Sequence, residues 1–368
     1  MPREIAITNP YKERKMIPID SDMFFGREKE MQKIEEMLSG DRPQCVSIVG
    51  ERRIGKSSLA NRVFHKLKND ENTRAVYIDC DGLDDDCKTK DHFFQLLNQA
   101  FCDEAKEKQE GNHFDNYSSF KAFVKKEGGN GIKTIIFIDE FEHLPDNSFA
   151  DDTFFSNLRA LAYSPDNRLA FVSASKTALN ELMHQAIKSS GFWNIFESGY
   201  LGLLEHESIV KLRRYGFEKT GFALTKEAEE KIHFYTGDYP YFNQVACGFV
   251  WDAGRNNADV DWKSLEVQLR PHYKEIWDNR KVEEQKLLKD LKGINAKEEF
   301  TLNDLLARGL VMQINKNYYP FSGYFSELID KLFEVKKKKL SEKKIIQHIK
   351  DGLEILIKGK EVVKGNKS

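Results

Sequence analysis

A chain of 368 residues, 40% hydrophobic and 12% aromatic with a formal net charge of -2, is too long for one hydrophobic core and too apolar for a disordered chain, so two or three folded domains are expected. Its five cysteines are odd in number and show no C-x-x-C spacing, which argues against a disulfide framework or a zinc site and fits a reduced, cytoplasmic setting. No apolar stretch reaches signal-peptide or spanning length, which predicts a soluble protein without membrane insertion.

Between about residues 43 and 205, short apolar runs alternate with longer helical patterns, the signature of a parallel sheet covered by helices. Strands are expected at Cys45–Val49, Ala75–Asp79, Thr134–Ile138, Leu169–Ala174 and Gly199–Leu203. Helices are expected at Lys56–Leu67, His92–Lys108, Tyr117–Lys126, Asp152–Tyr163 and Thr177–Lys188. From Glu205 amphipathic helices take over, clearest at Ser208–Thr220, Lys226–Tyr235 and Tyr241–Gly254, with Gly and Pro breakers between them. Helices at Val282–Leu291 and Leu302–Arg308, then β-prone pieces at Leu310–Ile314 and Tyr318–Phe321, suggest a winged helix. The expected domains are 1–204, 205–280 and 281–334, followed by a basic helical tail at 335–368. From Lys331 onward twelve lysines face five acidic residues, so the tail could touch duplex DNA, anionic lipid or an acidic partner, or form a solvated helix face.

The strongest motif is Gly50-Glu51-Arg52-Arg53-Ile54-Gly55-Lys56-Ser57, which fits G-x-x-x-x-G-K-[ST] between an apolar strand and a helix. Such a loop curls so that amides from Gly50 to Ser57, with Ser58 next, point at phosphate oxygens at a helix N-terminus. Lys56 is expected on the β- and γ-phosphates and the Ser57 hydroxyl on Mg²⁺, with ATP or ADP as ligand. The apolar strand Thr134–Ile138 ends in Asp139-Glu140. Asp139 is placed to hold the metal and Glu140 to polarise the attacking water. On the next strand, Ser175 is a candidate for the γ-phosphate or water, with Lys176 adding charge, or else a cap for the helix from Thr177.

The sequence resembles the AAA+-related signal-transduction ATPases with numerous domains (STAND), of the prokaryotic type near the origin-recognition ATPases. The likeness rests on Phe24-Phe25-Gly26-Arg27-Glu28, the phosphate loop, the Asp139-Glu140 strand end and Gly237-Asp238-Tyr239-Pro240. It implies an α/β, P-loop NTPase fold: a parallel five-stranded sheet with a helical lid and a C-terminal winged helix. It further implies that Gly26 and Arg27 frame base and ribose and that Pro240 packs near adenine. The usual arginine before the fifth strand is missing, since Leu169 to Leu212 contains none. That points to slow, partner-stimulated hydrolysis by a switch, with Lys188 or Arg159 as substitutes in trans from another copy assembled on ATP binding.

Two outputs stay open. The switch could recruit a protein partner, or Arg308, Lys316 and Asn317 could contact duplex DNA together with the basic tail, as in an initiator-like or transposition-like ATPase. The acidic or neutral second helix of the winged-helix region favours packing against the ATPase domain. Tyr235, Tyr239, Tyr241 and Phe242 are expected in a core or an adenine wall rather than on a stacking platform.

Overall fold

A computed structural model of the chain describes residues 8–12, 15–83, 87–104, 114–183 and 185–333. The basic tail at 335–368 lies outside the described residues. After α1 (Glu28–Ser39), the sheet and its helices follow as β1 (Cys45–Val49), α2 (Lys56–Leu67), β2 (Thr73–Asp79), α3 (Lys90–Glu104), α4 (Tyr117–Gly129), β3 (Lys133–Asp139), α5 (Asp152–Tyr163), β4 (Leu169–Ser175), α6 (Leu179–Leu182), α7 (Gln185–Lys188) and β5 (Phe196–Tyr200). The five strands form one parallel sheet in the order β2-β3-β4-β1-β5. β1 and β4 are buried along their whole length and β3 nearly so, as befits strands with helices on both faces.

This order puts β4 at the centre, with β3 on one side of it and β1 on the other. The C-terminal ends of all three therefore open on the same edge, where a doubly wound sheet gathers its ligand site. Two expectations shift here. The fifth strand lies at Phe196–Tyr200 rather than Gly199–Leu203, because Cys45–Val49 pairs with Phe196–Tyr200 in register and the pairing ends at Tyr200, beyond which the Leu201 amide still donates to Val49. The helix expected over Thr177–Lys188 is two short turns, α6 and α7, divided at Met183, whose backbone is extended.

Four helices follow: α8 (His206–Thr220), α9 (Lys226–Thr236), α10 (Pro240–Arg255) and α11 (Trp262–Asp278). Tyr11 is buried against them, its hydroxyl donating to the Arg213 carbonyl and accepting the Gly216 amide. Next come α12 (Val282–Lys289), α13 (Glu299–Ala307) and an antiparallel hairpin of β6 (Val311–Ile314) and β7 (Asn317–Pro320), then helical residues 323–333.

An aromatic stack joins this C-terminal unit to the preceding helices. Tyr239 lies 4.4 Å from Phe242, Phe242 4.5 Å from Tyr273, and Tyr273 5.5 Å from Phe321, centroid to centroid. Tyr239 and Phe242 are core residues, at most 1% exposed. Such rings bury a large area and fix their neighbours' orientation.

Candidate active site

β1 ends at Val49, and the chain turns at once into the loop that precedes α2. The Gly50 amide donates to the Ser175 carbonyl at the end of β4 (3.1 Å), and the Leu201 amide donates to the Val49 carbonyl (2.7 Å). A Cβ on Gly50 would stand 2.7 Å from the Leu201 carbonyl oxygen, so a side chain there would push the loop off the sheet. Gly55, at φ +107, ends the loop as the N-cap of α2. The first amides of α2 lack intrahelical acceptors, an arrangement that attracts anions.

Lys56 is buried, and its ammonium donates to the Glu51 carbonyl across the loop at 3.2 Å. Burial pulls its pKa below the ordinary lysine value, against which the Glu140, Glu142 and Asp139 carboxylates act. The sheet thus brings the acidic end of β3 within electrostatic reach of the loop lysine.

Both carboxylate oxygens of Asp139 are engaged. Oδ2 accepts the Tyr77 hydroxyl at 2.6 Å and Oδ1 accepts the Glu140 amide at 3.0 Å. Tyr77 belongs to no motif; its only sequence signal is its place two residues before the end of β2, which runs in register with β3 (Asp79 opposite Asp139). Each Asp139 oxygen keeps a lone pair beyond the hydrogen bond that it accepts. The Asp139 carboxylate and the Ser57 hydroxyl are hard oxygen donors, the chemistry that magnesium prefers.

Glu140 stands in the left-handed region at φ +46, a conformation that costs free energy and tends to be retained at functional positions. Burial, then the Glu142 carboxylate, raises its pKa above the ordinary carboxylate value. Glu142 accepts the Lys176 amide at 3.4 Å.

Ser175 is fully buried and donates its hydroxyl to the Thr177 carbonyl at 2.7 Å. It bridges the turn after β4 and caps no helix, since the N-cap of α6 is Ala178. Ser58 accepts the Ile17 amide at 3.1 Å and so ties the N-terminal segment to α2. Arg27 is buried; its Nη2 donates to the carbonyls of Gly202 (2.6 Å) and Ile54 (3.3 Å), and its Nη1 to Leu203 (3.3 Å) and Glu30 (3.0 Å). The guanidinium stitches the phosphate loop to the segment leaving β5. Gly26 before it has φ +67, and Pro240 stands in the first turn of α10.

Residues 24–242 match the model of an ATPase domain predominantly from Archaea. The chain belongs to this ATPase family. As a member it is a nucleotide-binding ATPase, and its fold is shared with solved structures of low sequence identity. A Walker-type ATPase of Pyrococcus abyssi aligns over 87% of this chain and 99% of that one at TM-score 0.60 and 16% identity. The ORC2 protein of Aeropyrum pernix, in ADPNP–ADP complexes, aligns over 90% and 98% at TM-score 0.52 and 14% identity. No curated protein matches the sequence.

A buried ion network that the sequence did not announce joins the phosphate loop to residues beyond the matched region. Glu51, inside the phosphate loop, accepts Arg308 Nε (3.0 Å) and Nη2 (2.7 Å) on Oε1 and Arg280 Nη2 (3.1 Å) on Oε2. Arg280 Nη1 lies 3.0 Å from Oε1. Glu284 on α12 accepts Arg308 Nη1 at 3.1 Å. Arg308 therefore points inward to the loop. Lys316 and Asn317, at the exposed hairpin turn, do not share this site.

The other loop residues are also tied down. Arg52 pairs with Glu275 on α11 (3.1 Å), its carbonyl accepts the Tyr239 hydroxyl, and the Arg53 guanidinium lies 4.2 Å from the Tyr241 ring centroid. A cleft of about 270 Å³ is lined by the loop, Lys176, Glu275 of α11, Glu284 of α12 and Arg308. Arg159 and Lys188 are exposed.

Proposed function

We propose that this ATPase is a slow, nucleotide-driven conformational switch of the signal-transduction (STAND) type, binding ATP or ADP with Mg²⁺ on Gly50–Ser57. Lys56 meets the β- and γ-phosphates, Ser57 and Asp139 hold the metal, and Glu140 orients and deprotonates the attacking water. Mg²⁺, when bound, neutralises charge on the phosphates. Arg27 keeps its tie between loop and linker, while Gly26 and Pro240 flank the base side.

The observation that carries this reading is the position of Lys56. It is buried in the field of Asp139, Glu140 and Glu142, while carbonyls of the same loop are held by Arg27 and by Tyr239 from beyond the sheet. A loop tied in this way passes any rearrangement on to the helices that hold it. Slow turnover is supported by the commitment of Arg27, Arg280 and Arg308 to protein oxygens, because an arginine on the transferring phosphate is worth about 10³–10⁵ in rate.

The output we favour is a protein partner or self-assembly on ATP binding, with Arg159 or Lys188 supplying charge in trans. Duplex DNA has less support, because the inward turn of Arg308 removes one of three contacts expected for it.

Binding of a fluorescent ADP or ATP analogue to Lys56→Ala tests the site: affinity is expected to be lost. Glu140→Gln is expected to keep affinity and to lose about 10²–10⁴ in turnover. The parent chain alone should turn over below about one per second. Equal affinity in Lys56→Ala and the parent would falsify the site assignment.

A further inference from the structure

We propose that Arg280 and Arg308 are positioning residues for the phosphate loop, so that nucleotide binding and the seating of α12, α13 and the β6–β7 hairpin are one coupled equilibrium. The proposal rests on the phosphate-loop reading above and adds to it the element that senses the loop.

The geometry is specific. Glu51, Arg280 and Glu284 have side chains 3–6% exposed and Arg308 13%. The two guanidinium groups and two carboxylates balance in charge, with Asp304 adding a contact to Arg308 Nη1 at 3.3 Å. Buried charges of this kind hold only as a complete set, because removing one leaves its partner uncompensated in a low-dielectric interior. The network is therefore made or broken as a unit rather than relaxed by degrees.

Glu51 links the network to the chemistry. Its carboxylate is held by the two arginines, while its own carbonyl accepts the Lys56 ammonium. The arginines thus fix the backbone that sets where Lys56 rests. Neighbouring contacts bind the same parts together: Arg280 Nε donates to the Ile276 carbonyl at the end of α11, and the Gly202 and Gly309 backbones approach so closely that a Cβ on Gly309 would stand 2.6 Å from the Leu203 amide. A loop displaced by phosphate must carry Glu51 with it, and the arginines carry α12 and α13. By linkage, whatever holds those helices in place returns the same free energy to nucleotide affinity.

The experiment measures ADP·Mg²⁺ affinity for the full chain and for Arg308→Gln, Arg280→Gln, Arg308→Lys and Glu51→Gln, each first shown to melt cooperatively. Lys289→Gln, which breaks the pair with Asp330 away from Glu51, is the control. Amide hydrogen exchange over 299–320 is followed with and without ADP.

Arg308→Gln and Arg280→Gln are expected to weaken ADP binding by about 5- to 150-fold, the usual span of coupling between sites. Arg308→Lys should lose less, and Arg308→Gln combined with Glu51→Gln should lose less than the product of the single losses, as members of one network do. ADP should slow exchange over 299–320 in the parent and in Lys289→Gln but not in Arg308→Gln. Folded Arg308→Gln and Arg280→Gln that bind ADP within twofold of the parent, or more tightly, would overturn the proposal, as would exchange indifferent to ADP in the parent. If Lys56→Ala loses ADP while these variants do not, the coupling alone fails; if Lys56→Ala binds as the parent does, the site reading fails with it.

Discussion

At the scale of single residues, the site is made of groups whose polar atoms are already directed. Tyr77 holds Asp139 by one oxygen and the Glu140 amide holds it by the other. A hydrogen bond to a charged group contributes about 1.5–3 kcal/mol, and partners that orient a metal ligand are worth roughly 10–100-fold in affinity or activity. Tyr77→Phe is accordingly expected to raise the Mg²⁺ concentration for half-maximal hydrolysis by about 10–100-fold while leaving metal-free ADP binding unchanged. A Mg²⁺ titration of the ATPase rate checks this, and an unshifted midpoint would remove Asp139 from the metal site or Tyr77 from its support.

At the scale of elements, the junction between α9 and α10 shows how closely the C-terminal hairpin is fitted. Gly237 sits at φ +52 between those helices, and a Cβ there would stand 1.8 Å from the Phe321 carbonyl oxygen. Its own carbonyl accepts Arg213 Nη2 and Asn243 Nδ2, both at 2.9 Å. The position combines a conformation that only glycine adopts cheaply with backbone-to-backbone contact, so Gly237→Ala is expected to cost on the order of 3 kcal/mol or more. Thermal melting should show a drop of several degrees, and hydrogen exchange should show it concentrated at 310–333. An unchanged melting temperature would mean that the hairpin is seated elsewhere.

At the scale of the whole molecule, polar clusters join one helix to another. One surrounds Asp238, whose Oδ1 lies 3.3 Å from His206 Nδ1 and 3.7 Å from His233 Nδ1, with Arg213 Nη2 3.2 Å from His233 Nδ1. Partial burial, then the Arg213 guanidinium, holds His233 below the ordinary imidazole pKa; Asp238 opposes this and His206 adds to it. Folded His233 therefore takes up its proton at a lower pH than in the unfolded chain, where an imidazole titrates at about 6.5. Stability is present above that value and declines as pH falls below it. The fall in melting temperature between about pH 7 and pH 5 is expected to be shallower in His233→Gln than in the parent, and parallel curves would show that the cluster does not couple to folding.

Much of this protein could be read from its sequence because the signals are local. β1 and α2 stand where apolar runs and helical spacing put them, because strand, phosphate loop and helix form one continuous stretch from Cys45 to Leu67. Asp139 and Glu140 were legible for the same reason, as the polar end of a buried strand. Where local pattern was weak the reading drifted. Phe196–Tyr200 has exposed and half-exposed positions, so the pairing partner and not hydrophobicity decided the fifth strand.

What tertiary structure alone decided are the partners brought from far along the chain: Tyr77 on Asp139, Arg27 on Ile54 and Gly202, and above all Arg280 and Arg308 on Glu51, separated by 229 and 257 positions. An arginine at the end of a helix reads as a solvated charge until the fold shows which carboxylate is buried against it. Periodicity and motif spacing record a residue's neighbours along the chain; the partner of a buried charge is set by which surfaces the packed core brings into contact.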